Sequence, residues 1–343
     1  MLTDNLRITR THPLISPAVL EEELPLTPAA AALVQSSREA VRNVIWGDDP
    51  RLLVIVGPCS VHDPAAAMDY AGRLAALADE VRGRLLCVMR VYFEKPRTVV
   101  GWKGLINDPG LDGTYQINRG LRLARQLLID VAAAGVPAGT EFLDTTFGQY
   151  YTDLISWGAI GARTVESQIH RELASGLSMP VGIKNRTDGN VQVAIDAIRA
   201  AGHRHLFPSL TKEGAPAIFE TGGNPDCHLV LRGGERPNYD AEAIGAAQAR
   251  LRDAGLPPVL MVDCSHANSG KDPQRQPDVA RAVVGQRAAG NRGIRALMIE
   301  SHLVGGRQDI GPSLRYGQSI TDGCLAFDAT RALLLELCEA LER

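Results

Sequence analysis

Four side chains that commonly bind transition metals lie close to the ends of apolar segments. Cys59 follows the run LLVIVGP, and His266 ends the run PVLMVDCSH. Glu300 lies in RALMIESH, and Asp322 lies in the later segment SITDGC. A thiolate, an imidazole and two carboxylates form a mixed donor set that suits a divalent transition metal, and open coordination positions would make the site catalytic. Each residue alone also fits an ordinary core or ion-pair role.

A second group consists of cations near the ends of similar segments. Its members are Arg90, Lys95, Arg97, Arg163, Lys184 and Arg232. Any one of them is most simply explained by a salt bridge. Six on one face of a protein of net charge −3 indicate an anionic ligand, because like charges repel unless an anion neutralises them. Arginine favours bidentate contacts with phosphate and carboxylate, so we expect more than one anionic group.

The elements that position these residues form a repeating βα pattern. From about residue 52, eight apolar β-rich runs alternate with stretches of helical periodicity, among them residues 150–158. This pattern predicts an α/β fold, a (β/α)8 TIM barrel, in which functional residues collect at the carboxyl ends of the strands. Closure pairs strand eight with strand one and brings Cys59, His266 and Glu300 together. An open doubly wound sheet is the less favoured alternative.

Two regions do not fit the repeat. Residues 1–50 contain a segment rich in proline and one helix, which we interpret as a plug of the barrel bottom or as a dimer arm. Residues 205–224 precede the sixth barrel strand without an intervening helix, and we expect an inserted β-hairpin there. The expected organisation is therefore an arm and helix over residues 1–50 and a catalytic barrel over residues 51–343.

Composition excludes several classes of function. The near balance of 36 Lys+Arg against 39 Asp+Glu provides no general attraction for nucleic acid or an anionic membrane surface. The N-terminus lacks the apolar core of a secretory signal, and no apolar run is long enough to span a bilayer. The six cysteines are scattered without a CxxC pair, which is typical of a reducing compartment. We therefore expect a cytoplasmic protein.

Several motifs resemble those of one enzyme family. They are GPCSVHDP at 57–64, RVYFEKPRTVVGWKGLINDP at 90–109, SWGAIGART at 156–164, ESQIHRELASGLSMPVGIKN at 166–185, LRGG at 231–234, DCSHANS at 263–269, ESHL at 300–303 and SITDGC at 319–324. They resemble the metal-dependent class I 3-deoxy-D-arabino-heptulosonate 7-phosphate (DAHP) synthases, over almost the whole chain. The arm and hairpin resemble the feedback-regulated branch. Such enzymes condense phosphoenolpyruvate with erythrose 4-phosphate and water in the first step of the shikimate pathway.

The resemblance implies roles for individual residues. The implied metal ligands are Cys59, His266, Glu300 and Asp322, for Mn²⁺, Co²⁺ or Fe²⁺. The implied phosphoenolpyruvate set is Arg90, Lys95, Arg163, Lys184 and Arg232, with the backbone of Gly161 and Ala162 near the phosphate. Lys95, Pro96, Arg97 and Thr98 would bind erythrose 4-phosphate. Glu141 would hold a water, His266 would act at the catalytic metal, and Lys95 and a metal-bound water are both candidates for the general acid.

The resemblance also implies an effector site for an aromatic amino acid. Its matching positions are Gly148, Gln149, Gly176, Ser178, Phe207, Ser209 and Phe219, with Asp4 and Asn5 from the arm of a neighbouring subunit. Gly148 stands where phenylalanine- and tyrosine-sensitive enzymes tend to carry proline, which leaves room for an indole and favours tryptophan. Phe219 replaces a smaller aliphatic residue, and it either stacks on the effector or fills the space. A homodimer or homotetramer is expected, and the arm and hairpin alternatively serve only that interface.

Two other functions are compatible with a barrel of this kind. One is condensation of phosphoenolpyruvate with a five-carbon sugar phosphate, against which the run Lys95–Thr98 argues. The other is a non-catalytic barrel that acts as a regulatory or scaffold subunit. Such a protein is expected to have lost a metal ligand or a substrate-binding cation, and this sequence retains all of them.

Overall fold

The predicted barrel is confirmed in the computed structural model, which describes residues 3–341. The eight barrel strands are Leu52–Gly57, Leu85–Arg90, Ala138–Glu141, Trp157–Ile160, Val181–Lys184, Cys227–Leu231, Leu260–Asp263 and Ile294–His302. Neighbouring strands pair in parallel, and the first strand pairs with the last through the register that aligns Leu53 with Ala296. The sheet is therefore closed, and all eight carboxyl ends open at one mouth.

Side-chain alternation along the strands divides the core into two layers. In the first strand, Leu52, Val54 and Val56 pack in the layer between the sheet and the helices, whereas Leu53 and Ile55 belong to the cluster inside the barrel. All five are fully buried, as expected for a strand that is covered on both faces. No helix within residues 3–341 is long and apolar enough to cross a membrane.

The helices cover the outside of the barrel and one end of it. Within the described residues they are Pro17–Glu23, Pro28–Trp46, Pro64–Val81, Ile117–Ala133, Gln168–Gly176, Gln192–Ala201, Ala241–Asp253, Gln276–Ala288 and Phe327–Ala340. The helix Pro28–Trp46 inserts Val41, Val44 and Ile45 into the inner cluster. It therefore closes the amino-terminal end of the barrel and leaves the carboxyl-terminal mouth open.

One predicted helix is wrong. Residues 150–158 were expected to be helical, but this part of the chain forms two short 3₁₀ turns, Phe147–Tyr150 and Thr152–Leu154, before the fourth strand begins at Trp157. The aromatic and β-branched residues of this segment favour a helix only weakly. Asp144 instead accepts backbone hydrogen bonds from Thr146 and Phe147 at 2.7 and 3.2 Å, which fixes a tight turn.

The segment before the sixth barrel strand is a separate antiparallel hairpin. Its strands are His205–Leu210 and Pro216–Thr221, and Phe207 lies opposite Phe219 across the pair. The hairpin is joined to the N-terminal helix Pro17–Glu23 through Lys212, which forms an ion pair with Glu21 and donates to the carbonyl of Gln149. It therefore stands beside the loop that follows the third barrel strand.

Candidate active site

Three of the four predicted metal ligands lie within one small cluster. The ligand atoms of Cys59, Glu300 and Asp322 are all within 4.8 Å of one another. The Cys59 thiol donates to Asp322 Oδ2 at 3.6 Å, and Lys95 Nζ lies 3.4 Å from the same oxygen. The first and eighth strands bring these groups together because the closed sheet aligns Gly57 with Glu300.

His266 lies at the edge of this cluster and points towards it. Its Nε2 is 3.8 Å from Glu300 Oε1, and its Nδ1 is 2.7 Å from Ser265 Oγ and 2.9 Å from Asp263 Oδ2. The residue has a positive φ of 54°, an uncommon conformation for a side chain other than glycine. Backbone strain of this kind clusters at functional sites, where the surrounding structure holds it in place.

The electrostatics of the cluster fit a bound cation. Burial, reinforced by the Glu300 carboxylate, raises the pKa of Cys59 to about 12. Although burial opposes it, the positive charge of Lys95 lowers the pKa of Asp322 to about 2. A buried thiol beside two carboxylates is a poor arrangement for the protein alone, whereas a divalent cation stabilises the thiolate and both carboxylates together. The donor set therefore fits a transition metal.

The predicted cations surround a polar cavity of about 260 Å³ at the carboxyl-terminal mouth, the active-site cavity. Its lining includes the predicted residues Lys95, Pro96, Arg97, Thr98, Glu141, Ala162, Arg163, Lys184, Arg232, His266 and Asp322. Four other predicted residues do not border it, the metal-ligand candidates Cys59 and Glu300 and the substrate-binding candidates Arg90 and Gly161. Five of the six cations thus face one space beside the metal cluster, as an anionic ligand requires.

Arg90 has a supporting position instead of an open one. Only 1% of it is exposed, and its guanidinium lies 3.9 Å from the centre of the Tyr92 ring. It donates to Glu300 Oε1 at 3.1 Å and to the carbonyls of Pro58 and Cys59. Although its burial works against this, the nearby Tyr92 and Glu300 raise the pKa of Arg90. Its contacts fix the strand ends that carry two metal-ligand candidates.

The Glu141 carboxylate occupies space that is open only because residue 161 is a glycine. A Cβ at residue 161 would lie 2.2 Å from Glu141 Oε1, so a larger residue would displace the acid. Arg97 donates to the carbonyl of Trp102 at 2.8 Å, and Arg163 donates to that of Pro96 at 3.5 Å. These contacts link the loop after the second strand to the end of the fourth strand.

Two residues of the site were missed by the sequence analysis. Asp263 is completely buried, and its Oδ2 lies 3.2 Å from Lys184 Nζ as well as beside His266. Lys271 adds a sixth cation to the cavity wall. Asp263 ends the seventh barrel strand three residues before His266, and that position alone was the available signal. Lys271 follows an irregular loop that no periodic pattern predicts.

The predicted effector positions line a second cavity of about 630 Å³, the hairpin cavity. Gly148, Gln149, Gly176, Ser178, Phe207, Ser209 and Phe219 all border it. The rings of Phe207 and Phe219 lie 6.2 Å apart at one wall. Phe219 therefore leaves the space open. Asp4 and Asn5 are exposed and do not line this cavity within the same chain, so their contact with a neighbouring subunit stays a prediction.

A further cavity of about 580 Å³ lies at the amino-terminal end of the barrel. Asp226 in its wall accepts hydrogen bonds from Trp46 Nε1 at 2.7 Å and from Arg42 Nε at 3.1 Å. Its walls mix aliphatic and polar residues, and they contain neither the metal cluster nor any of the predicted cations. Chemistry therefore places the candidate active site at the opposite, carboxyl-terminal mouth.

Comparisons with known proteins find relatives that match nearly the whole chain. Residues 25–335 match the profile of the family described as DAHP synthetase I. The chain is 54% identical to the Phe-sensitive phospho-2-dehydro-3-deoxyheptonate aldolase of Escherichia coli K12 over 341 residues, which cover 99% of this chain and 97% of that protein. It is also 54% identical to a Trp-sensitive counterpart from Enterobacter agglomerans, covering 99% and 98%. A solved phospho-2-dehydro-3-deoxyheptonate aldolase structure from Francisella tularensis SCHU S4 superposes with a TM-score of 0.96 at 49% identity, covering 97% of this chain and 98% of that chain.

Proposed function

Because the chain belongs to the DAHP synthetase I family, we propose that it condenses phosphoenolpyruvate with erythrose 4-phosphate and water to give DAHP and inorganic phosphate. The observation that carries this proposal is the meeting of a buried thiol–carboxylate cluster with five predicted cations in one cavity. Two phosphorylated substrates, one also a carboxylate, supply the negative charge that such a cavity requires. The retained ligands and cations argue against a non-catalytic scaffold.

The phosphoenolpyruvate phosphate and carboxylate are assigned to the deeper cations. Lys184 and Arg232 are largely buried, and Lys95 joins them from the loop after the second strand. Arg163 stands at the end of the fourth strand, where the adjoining backbone of Gly161 and Ala162 supports the phosphate. Arg90 contributes indirectly, because it holds Glu300 and the loop at Cys59 in place.

The aldehyde substrate is assigned to the loop after the second strand. Arg97 and Thr98 bind the phosphate of erythrose 4-phosphate, with Lys95 and Pro96 beside its carbon chain. The Trp102 carbonyl holds Arg97 at 2.8 Å, so the guanidinium is already oriented before the phosphate arrives. This places the aldehyde carbon towards Lys95 and the enol carbon of phosphoenolpyruvate.

The bond-forming step joins C3 of phosphoenolpyruvate to the aldehyde carbon. Cys59, His266, Glu300 and Asp322 would hold the metal, which supplies Lewis acidity towards the aldehyde oxygen when bound. We assign proton donation to that oxygen to Lys95, whose Nζ faces the cavity beside the cluster, 3.4 Å from Asp322 Oδ2. Electron flow from the enol leaves positive character at C2, which the neighbouring carboxylates stabilise.

Water then completes the reaction at C2. Glu141, which lies beside Gly161 on the cavity wall, orients this water and accepts its proton. The resulting hemiketal phosphate collapses by cleavage of the C2–O bond, which releases inorganic phosphate and leaves the C2 ketone of DAHP. The metal in this scheme is Mn²⁺, Co²⁺ or Fe²⁺, because each accepts a mixed sulfur, nitrogen and oxygen donor set.

We further propose that the hairpin cavity binds an aromatic amino acid and that tryptophan is the preferred effector. The cavity of about 630 Å³ is large enough for an indole, and Gly148 adds no side chain to its wall. The paired rings of Phe207 and Phe219 supply an aromatic surface. In this proposal the arm with Asp4 and Asn5 completes the cavity of a neighbouring subunit within a homodimer or homotetramer.

A substrate panel tests the proposed activity. Phosphate release is measured with phosphoenolpyruvate and Mn²⁺ in the presence of erythrose 4-phosphate, of a five-carbon sugar phosphate, or of neither. We expect release with erythrose 4-phosphate alone. Preference for the five-carbon substrate would show that the chain acts like the related barrel enzymes that use such sugars. Inactivity with every aldehyde would support a non-catalytic scaffold role.

A further inference from the structure

Asp263 ends the seventh barrel strand and is completely buried. It contacts one candidate metal ligand, His266, and one substrate-binding cation, Lys184. Its Oδ2 lies 2.9 Å from His266 Nδ1 and 3.2 Å from Lys184 Nζ. Its Oδ1 accepts from the Ser265 hydroxyl at 2.5 Å and from the Ser265 backbone at 3.0 Å. No exposed surface of Asp263 remains for substrate, so its role must act through its neighbours.

The Ser265 hydroxyl links Asp263 to His266 and determines which ring nitrogen carries the proton. This hydroxyl donates to Asp263 Oδ1, so it accepts from His266 Nδ1 at 2.7 Å, and Nε2 is left with its lone pair directed towards the cluster. Nε2 is the ring atom that faces Glu300, at 3.8 Å. A ligand histidine whose other ring nitrogen is held by a hydrogen bond, here with a carboxylate 2.9 Å away, is oriented and made more basic. The positive φ of His266 shows that local backbone geometry also serves this orientation.

The ion pair with Lys184 holds the carboxylate in place. Lys184 is 3% exposed, so each of the two charges needs the other as a buried counter-charge. Lys184 is also one of the cations assigned to phosphoenolpyruvate. One carboxylate therefore bridges the anion-binding wall and the candidate metal ligand.

We propose that Asp263 is a positioning residue that fixes His266 for metal binding and is itself fixed by Lys184. The inference rests on the proposed metal-dependent function. It adds a specific claim: the affinity for the metal depends on a residue that touches neither metal nor substrate. Replacement of a hydrogen-bond partner of a ligand histidine commonly weakens metal binding by about 10–100-fold.

The test measures Mn²⁺ binding to the metal-free protein by electron paramagnetic resonance, without any substrate turnover. We expect Asp263→Asn to weaken the binding of Mn²⁺ by about tenfold or more. Ser265→Ala removes only a neutral hydroxyl that contacts both Asp263 and His266, and we expect a smaller, few-fold weakening. If Asp263 acted only through its negative charge, Ser265→Ala would leave the Mn²⁺ affinity unchanged. That result would contradict a positioning role for Asp263.

A matched control separates positioning from general destabilisation. Asp153→Asn breaks the ion pair with the buried Arg125, whose two groups lie 2.8 Å apart, far from the cluster in sequence. We expect this variant to lower the melting temperature and leave Mn²⁺ affinity unchanged. Wild-type affinity in folded Asp263→Asn would refute the inference, and if that variant fails to fold, Ser265→Ala decides alone. Absence of Mn²⁺ binding to the wild type would instead refute the proposed metal site.

Discussion

The active-site cavity and the hairpin cavity are built on different principles. The first is lined by charges that are paired within one barrel, such as Lys95 with Asp322 and Lys184 with Asp263. The second is about 630 Å³ and is lined mainly by small, neutral and aromatic residues, including Gly148 and Phe219. Charge chemistry therefore specifies the substrates of the first cavity closely. The hairpin cavity selects its ligand mainly by shape, so the identity of that ligand is harder to predict.

The largest expected effect in the active-site cavity is loss of the metal. Cys59→Ala removes the thiol that meets Glu300 and Asp322 within 4.8 Å. We expect the variant to lose Mn²⁺ binding and turnover by at least about a hundredfold, more than the loss of a hydrogen-bond partner of a ligand produces. Atomic absorption of the desalted protein and phosphate release measure the two effects. Cys338→Ala, at a half-buried thiol of the C-terminal helix that is not part of the cluster, is the matched control and should retain both.

Different cations of the active-site cavity are expected to bind different substrates. Arg163→Ala leaves phosphate charge uncompensated, and loss of a hydrogen bond to a charged group costs about 1.5–3 kcal/mol, or roughly tenfold or more in affinity. We expect it to raise KM for phosphoenolpyruvate, whereas Arg97→Ala should raise KM for erythrose 4-phosphate first. Steady-state kinetics with each substrate varied in turn measures the split. An effect of Arg97→Ala on phosphoenolpyruvate only would reverse our assignment.

A change at Gly148 tests whether shape selects the effector of the hairpin cavity. A Cβ there would meet only ordinary contacts, with Thr152 Cγ2 at 3.5 Å and Phe142 Cδ1 at 3.6 Å, so the first carbon of a side chain is accommodated. We expect Gly148→Pro to weaken inhibition by tryptophan several-fold relative to phenylalanine, because the ring occupies indole space. Gly148→Ala adds one carbon and should change little. Inhibition assays with each aromatic amino acid decide, and insensitivity of the wild type to all of them would leave the arm and hairpin with an interface role.

The smallest expected effect concerns stability. Burial, with the nearby Asp144, raises the pKa of Glu94 to about 8 from a model-compound value of 4.5. Between these values the unfolded chain releases a proton that the folded protein keeps, so Glu94 lowers stability progressively as pH rises and adds nothing further above about 8. Glu94→Gln should therefore increase the melting temperature, with a gain that grows from pH 4.5 to 8. An equal gain at all pH values would contradict this account, and the exposed Glu242→Gln should show none.

The sequence allowed the barrel and most of the charged site to be predicted, because strand periodicity fixes which residues reach the open mouth. Cys59 and Glu300 meet for that reason alone, since barrel closure aligns their strands. The role of Asp263 was not predicted, because a strand-end acid is uninformative until its two partners are seen in space. The helix expected after the third strand also failed, since the side-chain turn made by Asp144 outweighs weak helical periodicity.

Metal removal and restoration test the central claim most directly, because the claim joins the cluster and the cations in one reaction. Phosphate release from phosphoenolpyruvate and erythrose 4-phosphate is followed in protein that has been extensively chelated and then titrated with Mn²⁺. We expect activity to vanish on chelation and to return in proportion to bound metal, saturating near one equivalent per chain. Full activity in the metal-free protein would contradict the account.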